Sequence, residues 1–120
     1  MPATEISIKG EKHAVVLPSS LIACWEGCNF LASAYAEGNF VRGNAAIIGL
    51  CFPSLRPPRL PAWNGEDMAG YAGMVADHLF SLGVSPKGIK GIIDATGIYE
   101  QMKARVPVDE EEVVEAEKNS

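Results

Sequence analysis

The sequence predicts a mainly α-helical fold, a small domain of about four helices after an N-terminal β-hairpin, with an α+β arrangement as the alternative. Three observations support this prediction. Residues 4–17 alternate in polarity and are rich in β-branched side chains, apolar residues then recur at helical spacing, and a Pro-rich stretch interrupts them. The predicted organisation is a single globular domain at 1–108, comprising a hairpin (1–17), helices (18–52), a Pro-rich loop (53–65) and helices (66–106), followed by an acidic tail (109–120).

The hairpin is predicted from two short strand-like segments. Ile6 and Ile8 share one face of the first strand, residues 9–12 form the turn, and residues 13–17 form the second strand. An isolated hairpin is only marginally stable, so it must pack on helices or pair with another chain. Its candidate edge residues for strand addition are Ile6, Ile8, Val15 and Val16.

The first two helices follow a stop signal at residues 18–20, where Ser19 or Ser20 provides a hydroxyl N-cap. Gly38 and Asn39 end the first helix, and a second helix is predicted from Phe40 to Leu50, ended by Pro53. The predicted buried stripe of the first helix comprises Leu21, Cys24, Trp25, Cys28, Leu31, Ala32 and Tyr35.

The loop at 53–65 holds four prolines, which fix φ and remove N–H groups, so it is predicted to be stiff and extended. Asn64 or Gly65 is expected to cap the third helix, with Glu66 and Asp67 in its first turn, and Gly83 to follow its end. The predicted buried face comprises Met68, Tyr71, Ala72, Val75, Ala76, Leu79 and Phe80.

A fourth helix is predicted from Ser85 as N-cap and Pro86 as first residue to the break at residues 106–107. Its glycines cost about 1 kcal/mol each relative to alanine, which suggests close packing or ordering on assembly. Its apolar face comprises Ile89, Ile92, Ile93, Thr96, Tyr99 and Met102. Beyond it, Asp109 is expected to cap a short acidic turn that includes Val113 and Val114.

Composition excludes several classes of function. The net charge is −5, and much of the negative charge lies in the C-terminal residues 109–117, which argues against general affinity for nucleic acid or anionic membranes. The longest apolar run is about half of a membrane span. No phosphate-binding glycine loop is present, and we expect no cofactor.

The three cysteines, Cys24, Cys28 and Cys51, are an odd number, and the N-terminus lacks the features of a signal peptide. Both observations predict a reduced, cytosolic protein with buried thiols. A metal site would need His13 or His78 to complete it, at no standard spacing, so core packing is the favoured interpretation.

Cys51 is also the candidate nucleophile of an alternative enzymatic function, with His78 as base and Asp77 or Asp94 as the orienting carboxylate. Cys51 lies in an apolar helix end, however, where desolvation raises a thiol pKa and lowers its reactivity. No catalytic signature surrounds it. The sequence therefore predicts a protein without enzymatic activity.

The basic residues near the loop are the candidate contacts to a partner. Three arginines on an acidic chain make a poor nucleic-acid site, whereas arginine and tryptophan are enriched in protein interfaces. Burial of Trp63 would indicate a structural loop, and its exposure beside Leu55 and Leu60 a docking surface. The predicted contact residues are Arg42, Arg56, Arg59, Leu60 and Trp63.

About 45 residues resemble small proteins encoded in the morphogenesis clusters of tailed bacteriophages and prophages. The first matching element, R-x-x-A-A-x-x-G-L-C, precedes a Pro-rich link, and a Y-x-x-x-V-x-x-x-L-x-x-x-G-V helix follows it. The matching residues are Arg42, Ala45, Ala46, Gly49, Leu50, Cys51, Tyr71, Val75, Leu79, Gly83 and Val84.

This resemblance implies protein binding in the host cytoplasm, as a tail assembly chaperone that coats the helical tape-measure protein and delivers it to tail-tube subunits. A neck, connector or other minor virion subunit is the alternative, and the hairpin suits it because strands can add between neighbouring subunits. An inhibitor of a host protein is a third option. The expected partners are phage structural proteins or further copies of this chain.

Overall fold

A computed structural model describes residues 2–107. It confirms a mainly helical fold with an N-terminal antiparallel hairpin, but the helices within these residues number five. The predicted acidic turn at residues 109–114 lies outside the described residues. The elements are β1 (Glu5–Ile8), β2 (Glu11–Ala14), α1 (Leu21–Ala36), α2 (Phe40–Cys51), a 3-10 turn (Pro53–Leu55), α3 (Met68–Ser81), α4 (Pro86–Thr96) and α5 (Ile98–Arg105).

The hairpin turns more tightly than predicted. Lys9 and Gly10, with φ of 52° and 85°, form a two-residue turn, and the second strand starts at Glu11 and ends at Ala14. Positive φ at both positions matches the twist of the flanking strands. Ile6 and Ile8 share the face that packs on the helical core, as predicted.

Helix α2 is the centre of the fold. Every residue from Gly43 to Cys51 is buried, and α2 contacts α1, α3, α4 and α5. Its two glycines allow close approach, because a Cβ at Gly43 would lie 2.7 Å from Ala34 Cβ, and one at Gly49 would lie 2.8 Å from Tyr71 Cε2. The neighbouring helices therefore pack directly against the α2 backbone.

The predicted buried stripe of α1 is wrong in part. Leu21, Trp25 and Tyr35 are 52%, 48% and 45% exposed, and Ala32 is also exposed. The buried face of α1 is built instead from small residues together with Cys24, Cys28 and Leu31, because close helix packing selects side-chain size over hydrophobicity. The small residues on this face are Ala23, Gly27 and Ala34.

The later helices follow most of their predicted signals. Ser20 and Ser85 cap α1 and α4 through their hydroxyls. Helix α3 starts later than predicted, since Asp67 is its N-cap in a left-handed conformation and accepts the Gly70 N–H at 3.0 Å. Of its predicted face, Phe80 is 44% exposed.

The predicted fourth helix is two helices. Gly97 has φ of 63°, a left-handed conformation that ends α4 and starts α5 in a new direction. The break buries Ile98 and Met102, and it leaves Tyr99 only partly covered.

Candidate protein-binding surface

The first residues of the Pro-rich loop are anchored to the protein core. Leu55 is fully buried, and the Arg56 Nε–H donates to the carbonyl of Gly49 at 2.7 Å. In a continuing helix that carbonyl would accept the N–H of residue 53, but Pro53 has none. Arg56 and the Tyr71 hydroxyl, which donates to the same oxygen at 3.0 Å, satisfy it instead. The Arg56 side chain thus forms a hydrogen bond within the protein.

The hydroxyl of Tyr71 is part of this buried anchor. Burial raises the pKa of the Tyr71 phenol above its ordinary value, and nearby Arg56 opposes that shift. The phenol therefore stays protonated and continues to donate to Gly49.

The middle of the loop holds a turn with an unfavourable residue. The Leu60 N–H donates to the Pro57 carbonyl at 3.0 Å, and Arg59 has φ of 73°. Proline followed by a residue with positive φ defines a type II turn, in which glycine is preferred at the position of Arg59. A left-handed conformation costs a non-glycine residue about 1–2 kcal/mol, so the local structure does not explain an arginine here.

The end of the loop folds back on itself. The Trp63 indole N–H donates to the Glu66 carbonyl at 2.8 Å, and the Glu66 N–H donates to the Asn64 side chain at 3.0 Å. The indole is half-buried and packs against the core. Trp63 therefore stiffens the loop while part of its ring reaches the surface.

Two adjoining hollows of about 300 and 460 Å³ lie between the loop and α3. We call them together the loop–α3 groove, formed by residues 57–64, 66 and 67 on one side and by Tyr71, Met74, Asp77 and His78 on the other. Leu60 and Met74 belong to both hollows, and Met74 is 48% exposed. The groove combines an apolar middle with a charged rim.

The predicted contact residues are only partly brought together. Arg59, Leu60 and Trp63 line the loop–α3 groove, whereas Arg42 and Arg56 do not. Arg42 lies over Gly73, and its Nη1 donates to the Ala69 carbonyl at 3.5 Å. The partner-binding role of these five residues stays a prediction.

The predicted hairpin contacts differ from one another in exposure. Ile6, Ile8 and Val15 are half-buried against the core, and Val16 is 53% exposed. Three side chains of α1, Leu21, Ile22 and Trp25, are likewise large, apolar and exposed, and periodicity wrongly assigned Leu21 and Trp25 to the core.

The three cysteines are free and buried, as predicted. Burial raises the pKa of Cys51 to about 12 and that of Cys28 to about 11, and the neighbouring thiols add to both shifts. Cys51 Sγ lies 3.4 Å from Met102 Sδ, and among residues 2–107 no imidazole lies within hydrogen-bond distance of it. The predicted nucleophile therefore has neither a base nor access to solvent.

The two histidines are separated by their environments. His13 is buried in β2 with Nδ1 2.8 Å from Ser54 Oγ, whereas His78 lines the loop–α3 groove. The described part of the chain contains no cluster of three or more His, Cys, Asp or Glu side chains suited to a metal ion.

Sequence reasoning missed Met74, because it lies off the buried face of α3 and carries no motif. Its signal is indirect: a large apolar residue lies on the α3 face that meets the Pro-rich loop. None of the helices within residues 2–107 has the length and apolar character that crossing a membrane requires. No family model matches this chain, and no curated protein or solved structure is significantly similar to it.

Proposed function

We propose that this chain is a protein-binding component without enzymatic activity that acts in the host cytoplasm as a tail assembly chaperone of a tailed bacteriophage. The observation that carries the binding function is the loop–α3 groove, whose apolar middle lies beside a loop that is hydrogen-bonded to α2 at its start and to itself at its end. A preformed apolar groove lowers the entropic cost of receiving a partner.

The resemblance of residues 42–84 to phage morphogenesis proteins supports the assembly role. The expected partner is an amphipathic helix of the tape-measure protein, since such helices place one apolar face into a groove. Leu60 and Met74 would contact that face, and Arg59 at the rim would meet acidic residues beside it. The burial of Cys51 supports a role without chemistry at this thiol.

Co-expression with the tape-measure protein of the same genome tests the proposal. Met74→Glu introduces a charge into the groove and should abolish co-purification, while the protein stays folded because the position is exposed. Ile22→Glu is the matched control, since Ile22 is a 62% exposed apolar residue of α1 that does not line the groove. Loss of binding in Ile22→Glu with full binding in Met74→Glu would contradict the proposed site.

A neck or connector subunit is the second candidate, favoured by the half-exposed hairpin. Mass spectrometry of purified particles separates the two functions, because a chaperone should be missing from the finished virion and a connector should be present. An inhibitor of a host protein would bind neither the tape-measure protein nor the particle.

A further inference from the structure

The two edges of the hairpin have different surroundings. Beyond β2 the chain runs against the end of α2, where the Val16 N–H donates to the Cys51 carbonyl at 2.8 Å. Within β2, His13 also contacts Ser54 beyond that helix. The outer edge of β1 faces a cleft instead.

The turn determines which β1 groups face outward. A two-residue turn makes Ile8 and Glu11 a hydrogen-bonded pair, and the pattern alternates from there. Ile6 and Ile8 therefore direct their N–H and C=O groups toward β2, whereas Glu5 and Ser7 direct theirs outward. Within residues 2–107 these outward groups have no backbone partner, although the Ala3 N–H donates to Ala95 of α4 at 3.0 Å.

The cleft beside this edge has a volume of about 430 Å³ and lies between β1 and α4. Its walls are largely apolar, formed by Ile6 and Ile8 on one side and by Gly88, Gly91 and Ile92 on the other. A Cβ at Gly91 would meet nothing within 4 Å. The cleft can therefore accept a side chain without displacing the helix.

We propose that the outer edge of β1 binds an extended segment of a partner protein, which adds as a third strand above α4. An extended chain alone matches donors and acceptors that recur every second residue. Its inward side chains would be apolar and lie over Gly91. This inference rests on the proposed protein-binding function and specifies a second contact.

Charge at the end of the cleft defines the segment further. A Cβ at Gly83 would lie 3.3 Å from Lys9 Nζ, so the ammonium group lies beside Gly83 at the cleft wall. Within residues 2–107 Lys9 forms no ion pair, whereas Lys12 and Lys90 pair with Glu5 and Asp94. The bound segment should therefore carry a carboxylate next to its apolar residues.

Selection of displayed random ten-residue peptides on the full chain tests this inference. Enriched peptides should alternate apolar and polar residues and include Asp or Glu near one end. Their binding should slow hydrogen exchange at the Glu5 and Ser7 amides, which exchange faster than Ile6 in the free protein. A selection that enriches no sequence, or sequences with helical spacing, overturns the proposal.

Two variant pairs provide the sharper readout on a selected peptide. Ser7→Pro removes an outward N–H that β2 does not use, and loss of one hydrogen bond should weaken binding about fivefold, whereas Ser7→Ala should bind normally. Gly91→Leu fills the cleft and should abolish binding, while Gly91→Ala should retain it. Equal binding by Gly91→Leu and wild type overturns the proposal.

Two other occupants give distinct results in the free protein. If hydrogen exchange at the Ser7 amide is slow and depends on protein concentration, the edge binds a second copy of the chain. If that slow exchange is lost when residues 108–120 are deleted, the edge binds the chain's own C-terminal segment. Either result overturns the proposal. Gly91→Leu should leave binding to the tape-measure protein intact. Failure of this proposal can therefore be distinguished from failure of the proposed function.

Discussion

Residues 43–51 of α2 and the Pro-rich loop that follows them are adjacent in sequence but reach rigidity by opposite means. In α2, burial fixes every residue from Gly43 to Cys51, and neighbouring helices contact its backbone. In the loop, proline restricts φ and a few hydrogen bonds hold the ends. One stretch is thus fixed by burial, whereas the next is fixed by proline and hydrogen bonds and still exposes side chains such as Arg59.

The largest expected contrast is in thiol reactivity. Cys51 has no solvent exposure, so iodoacetamide should label it only through unfolding, slower than a free thiol by about a thousandfold or more. Peptide mapping by mass spectrometry measures this rate. Fast labelling of Cys51 at neutral pH in the folded protein would contradict its assignment to the core.

The same burial predicts an alkaline limit to stability. The folded pKa of Cys51, about 12, lies above its ordinary value of 9.0, so the folded state holds the proton more tightly than the unfolded chain. The free energy of unfolding should fall as pH rises from 9.0 toward 12. Cys51→Ala should flatten that fall, measured by denaturant titration across this pH range.

Truncation of a phenylalanine should distinguish the α2 core from the surface. Phe52 is fully buried at the end of α2, and Phe52→Ala should lower the free energy of unfolding by about 4 kcal/mol. Phe80→Ala, at a side chain 44% exposed, should cost less than half as much. Comparable losses in chemical denaturation would contradict the assigned core.

Replacement of glycine by alanine should have opposite effects on stability in α2 and in α4. Gly49→Ala would place a Cβ 2.8 Å from Tyr71 and Val75 side-chain atoms and should destabilise by about 2 kcal/mol. Gly91→Ala meets open space and should stabilise by up to about 1 kcal/mol through helix propensity. Thermal unfolding of both variants checks the signs, and a stable Gly49→Ala would refute close packing between α2 and α3.

The hydrogen bond that anchors the loop should contribute less to the free energy of unfolding than the core residues do, but its contribution should be measurable. Arg56→Ala removes a donor to the Gly49 carbonyl and should cost about 1.5 kcal/mol, with faster proteolysis between residues 56 and 63. Arg59→Ala removes an exposed guanidinium and should leave stability nearly unchanged. Equal proteolysis rates in the two variants would show that Arg56 does not hold the loop.

The sequence predicted local structure better than packing. Ser20, Ser85 and Pro86 mark helix starts because capping is a local interaction. The α1 face could not be read from periodicity, since contact with α2 requires small residues and leaves Trp25 outside. Gly97 was one of several glycines, and only its packing context makes it a break between helices.

The candidate surface was predictable in type but not in membership. Arginine, tryptophan and proline in residues 53–63 indicated a stiff contact loop, and Arg59, Leu60 and Trp63 do line the groove. The hydrogen bond from Arg56 to the Gly49 carbonyl could not be predicted from the sequence, because it depends on the path that the chain takes after α2 ends. Met74 lines the groove because of the position that α3 takes relative to the loop.

The most direct test of a loop shaped for binding is Arg59→Gly, with stability and tape-measure affinity measured on the same preparation. Glycine relieves the left-handed strain, so the free energy of unfolding should rise by up to about 1 kcal/mol. Affinity should fall about fivefold or more, as expected for a lost contact worth about 1 kcal/mol. Arg59→Ala, which retains the strain, should show the same loss of affinity. Unchanged affinity in both variants would contradict a binding role for this loop.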